Sequence, residues 1–312
     1  MGTDGKREAG GRHREPRAAV SRINDYLELV RAPAVLTVLG DTLVGGSAAG
    51  HALSGRRMIL PIASACLYAG GMALNDYADR GIDARERPGR PIPSGRVSER
   101  SALTAAAALT LAGLSLSAAG GGRRAFAVAL PLAAAIWTYD LLAKSHAVAG
   151  ALTMASCRAL DVLMGAGSGH VRPALAAAGI MGGHTVAVTL LSRGEVEGTT
   201  TATASGVAAG TGLLAGAVVA GSAVPRIQVV AVLAAAAAYA VRCGPAQLRA
   251  ARKPVATNAL EATKAGIRAM IPLQVALTLR QGNVAAAGVL ASVDLLGMVL
   301  RSRPRSSRIS ES

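Results

Sequence analysis

The sequence predicts an all-α protein, a polytopic membrane bundle of about nine transmembrane helices, and three observations carry that prediction. Apolar residues make up 51% of the chain, and its mean hydropathy is +0.39. They fall in long blocks of Ala, Leu, Val and Gly with few charges inside each block. The charges lie between the blocks and are mostly basic, for a net charge of +15. Blocks of about 18 or more apolar residues match the ~20 needed to cross a hydrocarbon core. A soluble multidomain protein would have to use these same runs as ordinary core helices.

Residues 1–22 are polar, basic and Gly-rich and are expected to form a disordered tail. No apolar stretch directly follows the positive start, as a secretory signal would require. The membrane domain is expected over 23–300, with a basic tail over 301–312. Its spans are expected at 33–50, 58–75, 101–119, 125–141, 147–166, 173–191, 202–222, 228–242 and 283–300. A tenth run at 266–279 is short and carries Arg268, so an interfacial or tilted helix is the alternative there. Glycines saturate the spans, as at Gly45 and Gly46, Gly70 and Gly71, Gly165 and Gly167, and Gly206 to Gly216. Small residues at such spacings let membrane helices approach closely, so tight packing is expected at all of them.

Topology follows from charge. With a cytoplasmic N-terminus, the inside segments hold Lys6 to Arg31, Arg80 to Arg100, Lys144, Arg193, Arg242 to Lys253 and Arg301 to Arg308. The outside segments keep Arg56, Arg57, Arg123, Arg124, Arg172, Arg226 and Arg280 and otherwise read as short and plain. This asymmetry follows the positive-inside rule and implies a multi-pass protein of the cell membrane. It accounts for the basic charge through anionic lipid and an anionic substrate, with no nucleic-acid partner. Cys66, Cys157 and Cys243 are isolated, lack metal-ligand spacing and read as small packing residues.

The chemistry is concentrated at the inside ends of alternate spans. If the helix continues past Asn75, then Asp76, Asp79 and Asp83 recur at i, i+3 and i+7 and project from one face. Hard carboxylate oxygens on one face suit Mg²⁺, which takes one or two carboxylates plus water and phosphate oxygens. Arg80 adjoins them, and the loop that follows adds Arg85, Arg87, Arg90 and Arg96. Carboxylates for a metal and guanidinium groups for oxyanions belong together at a diphosphate. Pro88, Pro91 and Pro93 stop the helix and stiffen that loop into a cap over the helix mouth.

The pattern Asn75-Asp-x-x-Asp79-x-x-x-Asp83, followed by Arg90-Pro-Ile-Pro-Ser-Gly95, resembles the first signature of the UbiA superfamily of intramembrane prenyltransferases. The resemblance covers most of residues 23–300. It implies a helical bundle around a membrane-embedded cavity, a Mg²⁺-bound isoprenyl diphosphate, and transfer of the prenyl group to an acceptor. By position it makes Asn75, Asp76 and Asp79 metal-site residues, with Asp83 closing the motif. The segment Tyr139 to Lys144 resembles the family's Tyr-x-x-x-x-Lys step, in which the lysine would neutralise diphosphate as a point charge.

A second aspartate-rich motif is normal after the sixth span in that family, and this chain departs from it. The segment reads Leu191-Ser-Arg-Gly-Glu-Val-Glu-Gly198. Glu195 stands best for the second acid, Ser192 falls where the first would be, and Glu197 is the alternative. The segment is similar to that of a small bacterial branch whose members accompany cyclitol and sugar-like biosynthetic genes. One glutamate in place of two aspartates implies a weakened second metal position.

The resulting candidate set has Asn75, Asp76, Asp79, Asp83 and Glu195 at the metal and Arg80, Arg90, Lys144, Arg193 and Tyr139 at the substrate. Arg158 and Asp161, three apart in the fifth span, form either a buried ion pair or an acceptor contact. His184, Asp41 and Asp294 read as packing or cavity-edge residues. Three readings compete: transfer to an acceptor, a terpene cyclase on the same scaffold, and a transporter or non-catalytic membrane scaffold. A cyclase holds its carbocation with aromatic faces, and this chain has one Phe, one Trp and five Tyr, which favours prompt capture by an acceptor, faintly a polar one. A transporter would place ionisable residues near mid-membrane.

Overall fold

The computed structural model describes residues 23–31, 35, 37–52, 55–220 and 224–302. The tail expected over 1–22 and nearly all of the one expected over 301–312 lie outside these residues. Every regular element among the described residues is helical. The order is α1 (Leu39–Ala48), α2 (Leu60–Glu86), α3 (Glu99–Thr138), α4 (Ala147–Ala166), α5 (Val171–Ser192), α6 (Thr201–Ala220), α7 (Arg226–Arg252), α8 (Ala256–Arg280) and α9 (Val284–Ser302). A short helical stretch at 23–29 precedes them.

Local sequence explains the boundaries. Pro61 opens α2 in its first turn, where its missing N–H is harmless, and Pro88 follows its last turn. Ser98 caps α3 by accepting the Ser101 N–H at 3.1 Å. The 40-residue α3 is two helices meeting at Gly122, whose φ of 67° and ψ of −162° lie where a side chain would be strained. At its end, residues Tyr139–Ala143 form a π-turn, with the Lys144 N–H reaching the Tyr139 carbonyl at 3.0 Å.

Six helical segments among the described residues are long and apolar enough to cross a membrane. Nine separate spans are therefore not recovered one by one. The runs at 101–119 and 125–141 are the two helices that meet at Gly122, folded back so that Trp137 Nε1 donates to the Thr110 hydroxyl at 3.2 Å, and the first run keeps 10 residues in α1. The run at 266–279 is the outer part of the 25-residue α8, whose first half carries Glu261, Lys264 and Arg268.

The bundle is knit most closely where α1 crosses α4. A Cβ placed on Gly45 would run into the Val162 carbonyl, and one on Gly165 would strike the Thr42 carbonyl. The two backbones are in direct contact, and the expectation of close packing holds here. It fails on α6, where Gly206, Gly210, Gly212 and Gly216 meet nothing within 4 Å. Gly45→Ala should therefore cost about 1–3 kcal/mol by forcing α1 off α4. Gly46→Ala, whose Cβ would find only the Gly165 oxygen at 3.7 Å, should be close to neutral. Thermal unfolding of the two purified variants tests this, and equal melting temperatures would refute it.

Buried polar groups tie the remaining helices. His184 on α5 bonds the Tyr239 hydroxyl of α7 through Nδ1 and the Gly266 carbonyl of α8 through Nε2, both at 3.0 Å. Arg242 of α7 holds Asp294 of α9 at 2.7 and 2.9 Å. His184 is thus a packing residue, one of the two roles its sequence position allowed, whereas Asp294 is half of an ion pair. All three cysteines are free, and Cys157 and Cys243 are buried.

Polar side chains gather at both ends of the bundle. One end holds Arg31, the helix mouth at Asn75–Asp83, Lys144 and the Ser192–Gly198 turn. The opposite end is less plain than expected. There His51 bonds the Ala166 carbonyl at 2.9 Å and stands edge-on to His170, while Arg57 donates to the Gly165 carbonyl at 3.4 Å. These groups serve the unpaired carbonyls at the C-terminus of α4.

Candidate active site at the mouth of α2

Because α2 runs three turns past Asn75, its three aspartates share one side of the helix. Each meets a cation. Asp76 Oδ1 lies 3.1 Å from Arg31 Nη2 and 3.1 Å from Arg90 Nη1. The same Arg90 nitrogen lies 2.7 Å from Asp83 Oδ2. Asp79 Oδ1 is 2.6 Å from Lys144 Nζ. Asp76 and Asp83 are almost fully buried, so these are shielded charges rather than a solvated helix end.

Arg90 reaches inward because its loop is fixed. Pro91 and Ile92 are buried beneath the cap, and the Val97 N–H closes on the Pro91 carbonyl at 2.9 Å. Arg96 anchors the loop from outside, contacting Asp25, Glu28 and the Gly89 carbonyl within 3.1 Å. The π-turn at the end of α3 supplies the opposite wall. It places Asp140 where Asn75 Nδ2 donates to it at 2.9 Å, and it carries Lys144 over to Asp79. Lys144 Nζ is shielded from solvent, with the Asp79 carboxylate as its charge partner at 2.6 Å.

Not every expected residue converges. Arg80 turns away, pairing with Glu99 at 2.9 Å and stacking on the Tyr77 ring at 4.5 Å. Arg193 is exposed and donates to the Lys144 carbonyl at 3.4 Å, close enough to act on Tyr139. Tyr139 is partly buried, with Asp140 and Asp79 as its acidic neighbours. Glu195 is half-buried at the end of α5 and hydrogen-bonds Thr263 of α8. Burial raises its carboxyl above the usual range, against that hydrogen bond and the charges of Arg87 and Lys264. Glu197 is exposed, and the Ser192 hydroxyl is spent on the Thr189 carbonyl at 2.9 Å. Arg31 and Asp140 complete the site without having been singled out. Both are isolated charges beside an apolar run, which was the available signal.

Arg158 and Asp161 do not pair directly as their spacing suggested. Arg158 Nη1 lies 2.5 Å from Asp41 of α1, while Asp161 accepts from the Ser64 hydroxyl at 2.5 Å. Gln274 of α8 donates to the other oxygen of Asp41 at 2.8 Å. Four helices meet in this buried polar cluster, and it lies deep in the bundle, well below the mouth. Asp41 is therefore part of an ion pair rather than a simple packing residue.

A divalent cation fits the mouth in one specific sense. The Arg90 guanidinium already places a positive charge between Asp76 and Asp83. Among the described residues, however, no three His, Cys, Asp or Glu side chains converge to enclose an ion. The protein offers part of a hard-oxygen shell, which suits Mg²⁺ completed by phosphate and water.

Comparison with known proteins bears on the family and the fold. The UbiA prenyltransferase family matches residues 38–259. A digeranylgeranylglyceryl phosphate synthase of Ignicoccus hospitalis is 36% identical over 148 residues, 47% of this chain and 48% of that protein. One from Methanopyrus kandleri is 49% identical over 78 residues, 25% of this chain and 28% of its own length. The chain thus spans no more than about half the length of these curated relatives. Among solved structures, a UbiA homolog from Archaeoglobus fulgidus bound to GPP and Mg²⁺ superposes with a TM-score of 0.62 at 14% identity, covering 88% of this chain and 99% of that one. That likeness is one of fold. Sequence match and fold together show that the chain belongs to the UbiA prenyltransferase family.

Proposed function

We propose that this chain transfers the prenyl group of an isoprenyl diphosphate to a polar acceptor at the membrane, with Mg²⁺ as cofactor and the mouth of α2 facing the cytoplasm. The observation that carries the reading is the alternation of carboxylates and cations at the mouth: Asp76 with Arg31 and Arg90, Asp79 with Lys144, Asp83 with Arg90. Asp76, Asp79 and Asp83 would hold the metal, with Asn75 orienting Asp140 beside them and Glu195 at the rim. When bound, the ion would neutralise diphosphate charge and favour its departure.

The remaining work falls to the protein's own residues. Arg31, Arg90 and Lys144 are held at the mouth by carboxylates and are placed to donate to diphosphate oxygens. As the allylic C–O bond breaks, its electron pair leaves with the oxygen, and fixed guanidinium and ammonium charges stabilise it. The carbocation forms a new bond to the acceptor, which loses a proton, and the apolar bundle limits attack by water. Arg80 and Arg193 act at the rim, on the approach of the anionic substrate.

The cyclase reading has less support. Of the four aromatics expected at the mouth, Trp137 is tied to Thr110 at 3.2 Å and Tyr77 lies under Arg80, which leaves Tyr68 and Tyr139 of that set to face a cation. The same shortage of aromatic surface, with relatives named for a glyceryl phosphate product, favours a polar acceptor. The transport reading gains from the deep Asp41–Arg158–Asp161 cluster, so the assay must separate them. Purified protein given radiolabelled farnesyl diphosphate, Mg²⁺ and a lipid extract should release diphosphate and move label into a new lipid. Binding or flux without diphosphate release would overturn the transferase assignment.

A further inference from the structure

The end of the bundle opposite the mouth of α2 carries charge of one sign. No Asp or Glu occurs in residues 42–75, 100–139, 162–194, 198–260 or 262–293, the stretches that run to this end and back. Several of the cations there are contiguous. Arg56 and Arg57 adjoin in the turn Gly55–Ile59 that leads into α2. His51 lies within electrostatic reach of Arg57 and His170, and its ring stands 5.2 Å from that of His170. The Arg124 guanidinium covers Gly169, where an added Cβ would come within 3.0 Å of its Cζ.

These groups meet neutral partners. Arg57 Nη1 reaches the Gly165 carbonyl at 3.4 Å, and His51 Nε2 bonds the Ala166 carbonyl at 2.9 Å. One long bond leaves most of the five N–H groups of Arg57 to other acceptors. Arg56 beside it is a like charge, and the low dielectric next to lipid strengthens their repulsion. An anion at this point would relieve both deficits.

A groove opens beside Arg57, between α1, the start of α2, the end of α4 and the turn before α9. Its polar side is formed by Arg57, His51, Ser47 and Asn283. Asn283 Nδ2 donates to Ser47 Oγ at 2.9 Å, which leaves the Ser47 hydroxyl proton as a donor. Its apolar side is formed by Leu43, Met58 and Pro61. Met58 is 43% exposed and Ile62 55%, so the apolar surface continues outward along α2. Depth agrees with this division. Arg57 precedes Asp76 by nineteen residues, about 28 Å of helix, close to the ~30 Å of a hydrocarbon core. With the mouth at one interface, Arg57 lies at headgroup depth in the other.

We propose that this groove binds an anionic phospholipid, its phosphate on Arg57 and the Ser47 hydroxyl, and an acyl chain along Leu43, Met58 and Pro61. Arg56 adds charge at the rim. Free phosphate could use the same donors but would leave the apolar side uncovered. The site is separate from the mouth of α2 and does not depend on the transferase reading.

The test is native mass spectrometry of delipidated full-length protein titrated with phosphatidylglycerol, phosphatidylcholine or inorganic phosphate. Phosphatidylglycerol should bind about tenfold or more tightly than phosphatidylcholine. Inorganic phosphate at millimolar concentration should not displace it. Arg57→Gln should weaken phosphatidylglycerol about fivefold, the scale of one basic residue at an anionic membrane surface. Arg226→Gln, an exposed residue at the same end that does not line the groove, should change it by less than about twofold. Equal affinity for the two lipids, or equal losses in the two variants, would mean diffuse surface charge and overturn the site. Displacement by millimolar phosphate would overturn the lipid assignment, since the chain would then contribute nothing. If Arg57→Gln does not fold, Arg56→Gln, at an exposed position, should show a loss of about twofold or more, and no loss there would overturn the site.

Discussion

Asp76→Ala should reduce magnesium-dependent diphosphate release by about a thousandfold, the scale on which losing a preorganised electrostatic group acts. Asp76 is 3% exposed and, among the described residues, is the mouth carboxylate shared by two arginines, Arg31 and Arg90. Its loss removes a hard-oxygen ligand and leaves two guanidinium groups repelling each other and the ion they should assist. Asp76→Asn keeps the shape and loses the charge, so it should fall nearly as far. Asp83→Ala should lose less, because Asp76 still holds Arg90. Steady-state rates across a Mg²⁺ series, with size-exclusion profiles to show intact bundles, read this out. Wild-type activity in the Asp76→Ala protein would sink the assignment of the mouth as the diphosphate site.

The rank order also bears on which side chains could be recognised from sequence. Asp76, Asp79 and Asp83 were legible because their spacing has helical period and their neighbours are apolar on one side and basic on the other. Lys144 was legible only through the resemblance of Tyr139 to Lys144 to the family's Tyr-x-x-x-x-Lys step, and the π-turn that delivers it to Asp79 leaves no periodic trace. Arg80 sits at the rim, outside the convergent set, for a local reason. Adjacent residues on a helix point about 100° apart, so standing next to Asp79 in sequence directs Arg80 elsewhere, to Glu99.

Arg31 and Asp140 could not be assigned in the same way. Their partners, Asp76 and Asn75, are 45 and 65 residues distant, and only the packed bundle brings them together. The fold shows the same division. Helical class follows from apolar blocks, but the number of crossings depends on backbone events. Gly122 reverses the chain between two apolar helices, and α8 carries its charges within a longer helix. Glycine spacing likewise marks where helices can approach and not where they do, as Gly45 and Gly210 show.

The deep cluster carries the second large effect. Arg158→Leu should destabilise the protein by about 3–5 kcal/mol, because it strands the Asp41 carboxylate among apolar helices. Asp41 is 0% exposed, and without Arg158 no cation would remain beside it, only the neutral Gln274 amide at 2.8 Å and the Asp161 carboxyl. Adding Asp41→Leu should restore most of the loss, since a buried pair replaced by apolar residues of similar volume is often neutral. A double-mutant cycle on melting temperature and denaturant midpoint should therefore give a coupling of about 2 kcal/mol or more. Additive losses would mean that the two residues do not act on each other. A restored double variant would also show that the bundle does not need this ion pair in order to fold.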